Sequence, residues 1–176
     1  RGRRSLDDPR LRRAVRDRSL RRLCISAWQS LLFNRWLVER IADGLFARAL
    51  AGDVMRRLPS GGFFTCEDPQ ADQPRLERFE ISPAGPMFGH EMAPAAGEAA
   101  AREARLLQAE GIALADLARR GRGEAEGTRR AARLPVAVEL EPLPEGYAAS
   151  FELPPGSYAT VVLRELVKGE EPALPE

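Results

Sequence analysis

Apolar positions recur at helical spacing between Leu20 and Leu50. Leu23, Ala27, Leu31 and Val38 mark one line, and Trp28, Leu32, Leu37, Ile41 and Leu45 lie beside it. A stripe of this period predicts one long helix over the stretch. Pro59-Ser-Gly-Gly62 reads as a turn, and Phe63-Phe-Thr-Cys66 as a short strand ending at Glu67-Asp-Pro69. Gln70 to Arg78 is polar throughout and reads as exposed. In Ser82-Pro-Ala-Gly-Pro86 two prolines and a glycine exclude regular helix, because proline lacks the donor that a helix interior needs. Glu98 to Ala109 is alanine-rich with interleaved charges and reads as helix, supported by the i,i+4 pair Glu98 and Arg102 and ended by Gly111. A second short helix is expected over 113–119. Val136 to Leu140 and Tyr147 to Leu153 read as two antiparallel strands joined through Glu141 to Gly146. The second strand leads through Pro154, Pro155 and Gly156 into a helix starting near Ser157, and the stretch after Lys168 has no period and reads as a tail.

Composition narrows the class only slightly. With 44% hydrophobic and 30% charged residues in 176, the chain suits a globular protein of one domain or one and a half, and the mixture of helices and strands read along it puts it in the α+β class. No apolar run approaches the roughly 18 residues that cross a bilayer. Cys24 and Cys66 stand apart, and His90 is the only histidine, so the sequence predicts no metal site. Isolated cysteines fit a reducing compartment, and the expected location is the cytoplasm.

Charge is more telling than composition. The chain is +1 overall, yet residues 1–22 carry ten arginines against three aspartates, a local +7. Arginine grips phosphate bidentately and stacks on bases, so this strip suits an RNA backbone; an ordinary solvated helix face reads equally well. Arg119, Arg120 and Arg122 sit in a glycine-rich loop open to the same two readings, with a solvated connector slightly favoured. Trp28, Phe33 and Trp36 can serve as stacking platforms, although aromatics at helical spacing are more often core. Met87 and Phe88 read the same way, more as a plug into the core than as an RNA contact. Asn34 either binds RNA or joins a turn.

The segment Leu153-Pro-Pro-Gly-Ser-Tyr-Ala-Thr-Val-Val-Leu-Arg-Glu-Leu166 places an aromatic ring beside the start of a helix, where unpaired backbone N–H groups favour an anion. A ring next to such a nest can hold a flat base. Read by itself, the segment is more simply a capped helix packing on a sheet, with Ser157 as the cap. It also resembles the C-terminal signature of the TruD family of tRNA pseudouridine synthases. Three further stretches resemble the same family in the same order. They are Cys24 to Asn34 followed by Gly52-Asp53, then Ile81-Ser-Pro-Ala-Gly-Pro-Met-Phe-Gly89, then Gly127-Thr-Arg-Arg130 with Leu134-Pro135.

The resemblance implies a fold and a role. Residues 1–22 would be a basic connecting segment, 23–135 a helix-rich inserted domain with a small sheet, and 136–176 a strand-strand-helix piece of the synthase catalytic domain. The family isomerises a uridine of tRNA, position 13, to pseudouridine without cofactor or metal: an aspartate attacks, and the base detaches, rotates and rejoins through carbon. Tyr158 matches the family's active-site aromatic and is expected to stack on the target base, with Gly156 and Ser157 shaping the pocket wall. Arg129 and Arg130 are expected to contact RNA, and Arg164 and Glu165 to give structural support.

One departure matters. The family's nucleophile lies in a Gly-x-Lys-Asp segment, but the only lysine here is Lys168, before Gly169, and the only asparagine is Asn34, so the Asn-x-Phe-Gly motif is missing as well. With Arg1 at the start, the chain reads as a fragment whose N-terminal half precedes residue 1. Its expected partners are tRNA and that half, within a whole protein that is monomeric. Two alternatives remain: a catalytically inactive RNA-binding module, and a structural or protein-binding domain without RNA affinity.

Overall fold

The computed structural model describes residues 18–58, 60–112, 126–154 and 156–168. The expectations for residues 1–17, the loop and short helix within 113–125, and the tail after Lys168 lie outside the described residues. The chain divides into two compact units, 1–134 and 135–176, and is of α+β class.

The first unit is built on an antiparallel sheet. Its strands are β1 (Val54–Arg57), β2 (Phe63–Thr65), β3 (Ile81–Met87) and β4 (Thr128–Ala131), in the order β2-β1-β3-β4. Helix α1 (Arg18–Ala42) lies against β3, α2 (Pro69–Glu77) follows β2, and α3 (Gly97–Ala109) packs on α1. The expected helix to Leu50 ends at Ala42: the chain leaves it through Gly44, which sits at φ +69.

Among the described residues the core forms three clusters. Trp28 and Leu32 meet Phe88 and Leu107; Phe33 and Trp36 meet Met87 and Leu106; Met55, Cys66, Leu76 and Ile81 form the third. Burying an aromatic or large aliphatic side chain stabilises by roughly 1.5–3 kcal/mol. The aromatics of α1 and the Met87-Phe88 pair therefore belong to packing.

Two segments differ from the expectation. The polar stretch after Pro69 is helix α2, with Pro69 in its first turn and the Asp68 carboxylate accepting from the Gln70 and Ala71 amides at 2.9 and 3.2 Å. It buries Asp72 and Leu76, so it is only partly exposed. Residues 81–87, with two prolines, form the most buried strand in the sheet. The strand divides its partners. Residues 81–83 pair with β1, residues 84–87 pair with β4, and the Pro83 carbonyl accepts from Ala132 N at 2.8 Å. Gly85 is required there, since an added Cβ would lie 2.5 Å from the Trp36 ring and 2.7 Å from that of Phe33.

The second unit contains the hairpin β5 (Val138–Leu143) and β6 (Gly146–Phe151), then helix α4 (Ala159–Val167). The turn is tighter than expected, because Leu143 pairs directly with Gly146 and only two residues lie between them. Leu140, Leu143 and Tyr147 on the hairpin and Val161, Leu163, Leu166 and Val167 on α4 are all exposed. α4 buries none of its residues.

Candidate functional site

Tyr158 stands where backbone geometry isolates it. Gly156 takes φ +86, and Ser157 N donates to Pro154 O at 3.1 Å, closing a turn of the kind that needs glycine at its third position. Tyr158, just past that turn, is still extended, with φ −111 and ψ 114, so it rather than Ser157 occupies the N-cap of α4. That moves the expected cap by one residue. Tyr158 contributes no side-chain hydrogen bond to the helix, and it is 67% exposed. The result is an exposed ring directly at the mouth of a nine-residue helix, beside the backbone donors of its first turn. Such a ring can stack on a flat heterocycle while the donors face an anion.

The two arginines expected to touch RNA divide sharply. Arg129 is a correction: its side chain is 1% exposed. Its Nε donates to Ala93 O at 2.8 Å and its Nη1 to Ala84 O at 3.2 Å, while Glu103 takes both nitrogens of the fork, Nη2 at 3.0 Å. An arginine so engaged has no face left for a phosphate. It ties β4 to α3. Burial holds the Glu103 carboxyl above the ordinary carboxylate range, while the Arg129 charge pulls it back down. Arg130, the next residue along the strand, points elsewhere: its guanidinium lies 5.5 Å from the Phe33 ring and is half-buried.

Other signature residues also turn out to build the fold. Gly52 takes φ +87 and its carbonyl accepts from Ala96 N at 2.9 Å; a Cβ there would run into the Ala96 backbone. Asp53 is buried and holds the Arg40 fork at 2.9 and 2.6 Å while accepting from Leu50 N at 3.0 Å. Arg40 in turn lies over Trp36 at 5.3 Å and donates to Arg48 O. Gly127, at φ +79, passes so close to Gly89 that a Cβ would sit 2.5 Å away. Asn34 is exposed within α1, which removes the turn reading.

Sequence reasoning missed the arginine–phenylalanine stacks. Arg57 lies 4.5 Å and Arg75 5.3 Å from the Phe64 ring, and Arg133 lies 4.4 Å from Phe79 and 5.6 Å from Phe46. No spacing rule finds them, since residues 46, 79 and 133 meet only through the fold. A cavity of about 670 Å³ opens between α3 and the segment after β3, with Phe88, Met92, Leu107 and Ile112 in its walls and Glu103 and His90 as polar members. Among the described residues no cluster of three metal-binding side chains occurs, and no helix is long and apolar enough to cross a membrane.

A helix-flanked antiparallel sheet, with a separate strand-strand-helix unit presenting an aromatic at a helix start, is the pattern that the sequence resemblance implies for parts of an RNA-modifying enzyme. The family model described as tRNA pseudouridine synthase D (TruD) matches residues 10–166. The chain belongs to that family. It is 74% identical over 168 residues to a tRNA pseudouridine synthase D of Anaeromyxobacter dehalogenans strain 2CP-1, covering 96% of this chain and 48% of that protein. It is 43% identical over 152 residues to a tRNA pseudouridine synthase D of Thermus thermophilus, covering 86% of this chain and 41% of that protein. A crystal structure from Methanosarcina mazei, described as a putative tRNA pseudouridine synthase D, superposes with a TM-score of 0.65 at 26% identity over 94% of this chain and 43% of that one. The chain thus spans about half the length of the curated relatives it matches.

Proposed function

We propose that this chain supplies the inserted unit and the C-terminal strand-strand-helix of a tRNA pseudouridine synthase, with uridine 13 of tRNA as the target and the nucleophilic aspartate supplied by a preceding half. The observation that carries this reading is Tyr158. It is an exposed ring at the first turn of α4, inside the signature segment of a family match that runs over residues 10–166. The aspartates of the chain lie outside any Gly-x-Lys-Asp segment, which supports placing the nucleophile elsewhere.

In this mechanism the target base must leave its stack, at a cost of roughly a few kcal/mol. Stacking on Tyr158 offsets part of that cost and holds the ring plane while the base turns over between detachment and reattachment. The turn at Gly156 and Ser157 forms the wall beside it, and the first-turn amides of α4 face the negative charge of the nucleotide. Arg130 lies in the other unit and is proposed as a phosphate contact there. Arg129 holds β4 to α3 and supports it. The whole protein is proposed to act as a cytoplasmic monomer without cofactor.

The test is mass-based detection of pseudouridine in an unmodified tRNA transcript, with this chain alone and with the complementary N-terminal half supplied. Product only with both halves is the expected result. In the joined enzyme Tyr158→Ala should lower turnover by about 5- to 150-fold, from a stacking contribution of roughly 1–3 kcal/mol. Product from this chain alone would overturn the placement of the nucleophile. No product in either case, together with salt-sensitive tRNA binding, would favour an RNA-binding module without chemistry.

A further inference from the structure

We propose that Phe46, Phe79 and Arg133 form a second aromatic platform, distinct from Tyr158, that stacks an unpaired RNA base on the first unit, with the Arg57–Phe64 stack on β1 and β2 of the same unit adding positive charge. It rests on the reading of tRNA as the partner. Phe46 and Phe79 expose 37% and 39% of their surface, and the Arg133 guanidinium lies over both rings. Phe79 is the more telling of the two. Its backbone sits at φ +57, a left-handed conformation that strains a bulky L-residue and that glycine or asparagine would adopt with less strain. A phenylalanine held there is ordinarily expected to offset that strain through burial, and this one stays on the surface.

The charges around the platform point the same way. Asp72 and Glu80 are already engaged, Asp72 with Arg75 at 2.7 Å and Glu80 with Arg78 at 2.7 Å and Arg75 at 3.7 Å. Among the described residues, Arg57 and Arg133 have no carboxylate in salt-bridge contact; the first guanidinium lies on Phe64 and the second on Phe46 and Phe79. Arg133 is anchored through neutral groups, with Nη1 donating to Leu76 O at 3.4 Å and its backbone N to the buried Ser82 hydroxyl at 2.9 Å. Two guanidiniums lying on aromatic rings provide flat surfaces for a base and positive charge for the phosphates on either side of it. A base within a duplex hides both its faces, so the ligand is a loop or bulge nucleotide rather than a helical stem.

The experiment is binding of a tRNA transcript to this chain over a salt series, comparing wild type with Phe79→Leu, Phe46→Leu, Phe79→Trp and Arg57→Gln, each checked by thermal melting. Stacking predicts about 5- to 100-fold weaker binding for both leucine variants with an unchanged salt slope, because no phosphate contact is lost. Phe79→Trp should bind at least as tightly as wild type, which a merely structural clamp on Arg133 would not require. Arg57→Gln should lower the salt slope by about one phosphate contact. Wild-type binding with leucine variants equal to it would overturn the platform alone. Absence of any tRNA binding by wild type would overturn the tRNA reading and the platform with it.

Discussion

At the residue scale, buried charge is the sharpest discriminator between structure and function in this chain. Arg129 and Arg130 are neighbours on one strand, yet one is sealed against Glu103 and the other rests on Phe33 at the surface of the core. Breaking a buried pair leaves an uncompensated charge and costs about 3–5 kcal/mol. Arg129→Ala should therefore lower the melting temperature by roughly 6–20 °C, measurable by circular dichroism, whereas Arg130→Ala should leave it nearly unchanged. Equal melting of the two variants would contradict the assignment. Cys66 gives a pH test. Burial, aided by the Asp72 side chain, raises its thiol from an ordinary 9.0 to about 12. The folded state thus keeps a proton that the unfolded chain releases, and stability falls as pH rises from about 9 towards 12, by up to about tenfold in the folding equilibrium per pH unit. In denaturant melts between pH 8 and 11, wild type should lose stability more steeply than Cys66→Ala. Native Cys66 should also resist alkylation at pH 8, and rapid labelling of it in folded protein would contradict its burial.

At the element scale, the informative case is β3. Two prolines in the middle of a sheet ordinarily argue against a central strand, because each removes a ladder donor. Here the strand exchanges partners after Pro83, so each half pairs on one side with a different neighbour. Gly85 lets α1 approach this strand, and the Cβ of Gly85→Ala would press on the rings of Trp36 and Phe33. That substitution should cost about 1–3 kcal/mol, the usual range for overpacking, read by chemical denaturation. Helix α2 depends on a different device. Asp68 satisfies two of its first amides, so Asp68→Ala should cost about 1 kcal/mol and loosen the helix that carries Leu76 and Arg75. Amide exchange of Gln70 and Ala71 should then quicken, and unchanged protection would argue that the cap is redundant.

At the scale of the whole molecule, the two units differ in how well they cover themselves. The first has three buried clusters; the second leaves the apolar residues of α4 and of the hairpin at the surface, along with the strand edges. Unpaired edges and apolar helix faces invite association. The chain by itself should therefore bind a hydrophobic dye such as ANS and self-associate in light scattering, and under the proposed function both signals should fall when the proposed N-terminal half is supplied. A monomeric chain that ignores the dye would show that the second unit is complete as it stands.

Much of this was legible in the sequence because it depends on local pattern. The period of α1 and α3, the alternation of β5 and β6, and the core role of Trp28, Phe33, Trp36, Met87 and Phe88 follow from spacing and hydrophobicity, which the chain carries wherever it folds. The signature segment around Tyr158 was likewise readable, and it marked the family. Three things required the tertiary structure, because each depends on residues far apart in the chain. Pairing with β1 and β4 turned a proline-rich stretch into a central strand. Packing against α3 turned Arg129 from an expected RNA contact into a buried partner of Glu103. Convergence of residues 46, 79 and 133 produced an exposed aromatic and guanidinium surface. Sequence period determines which face of an element is apolar, but only the packed fold decides which polar groups are left facing water.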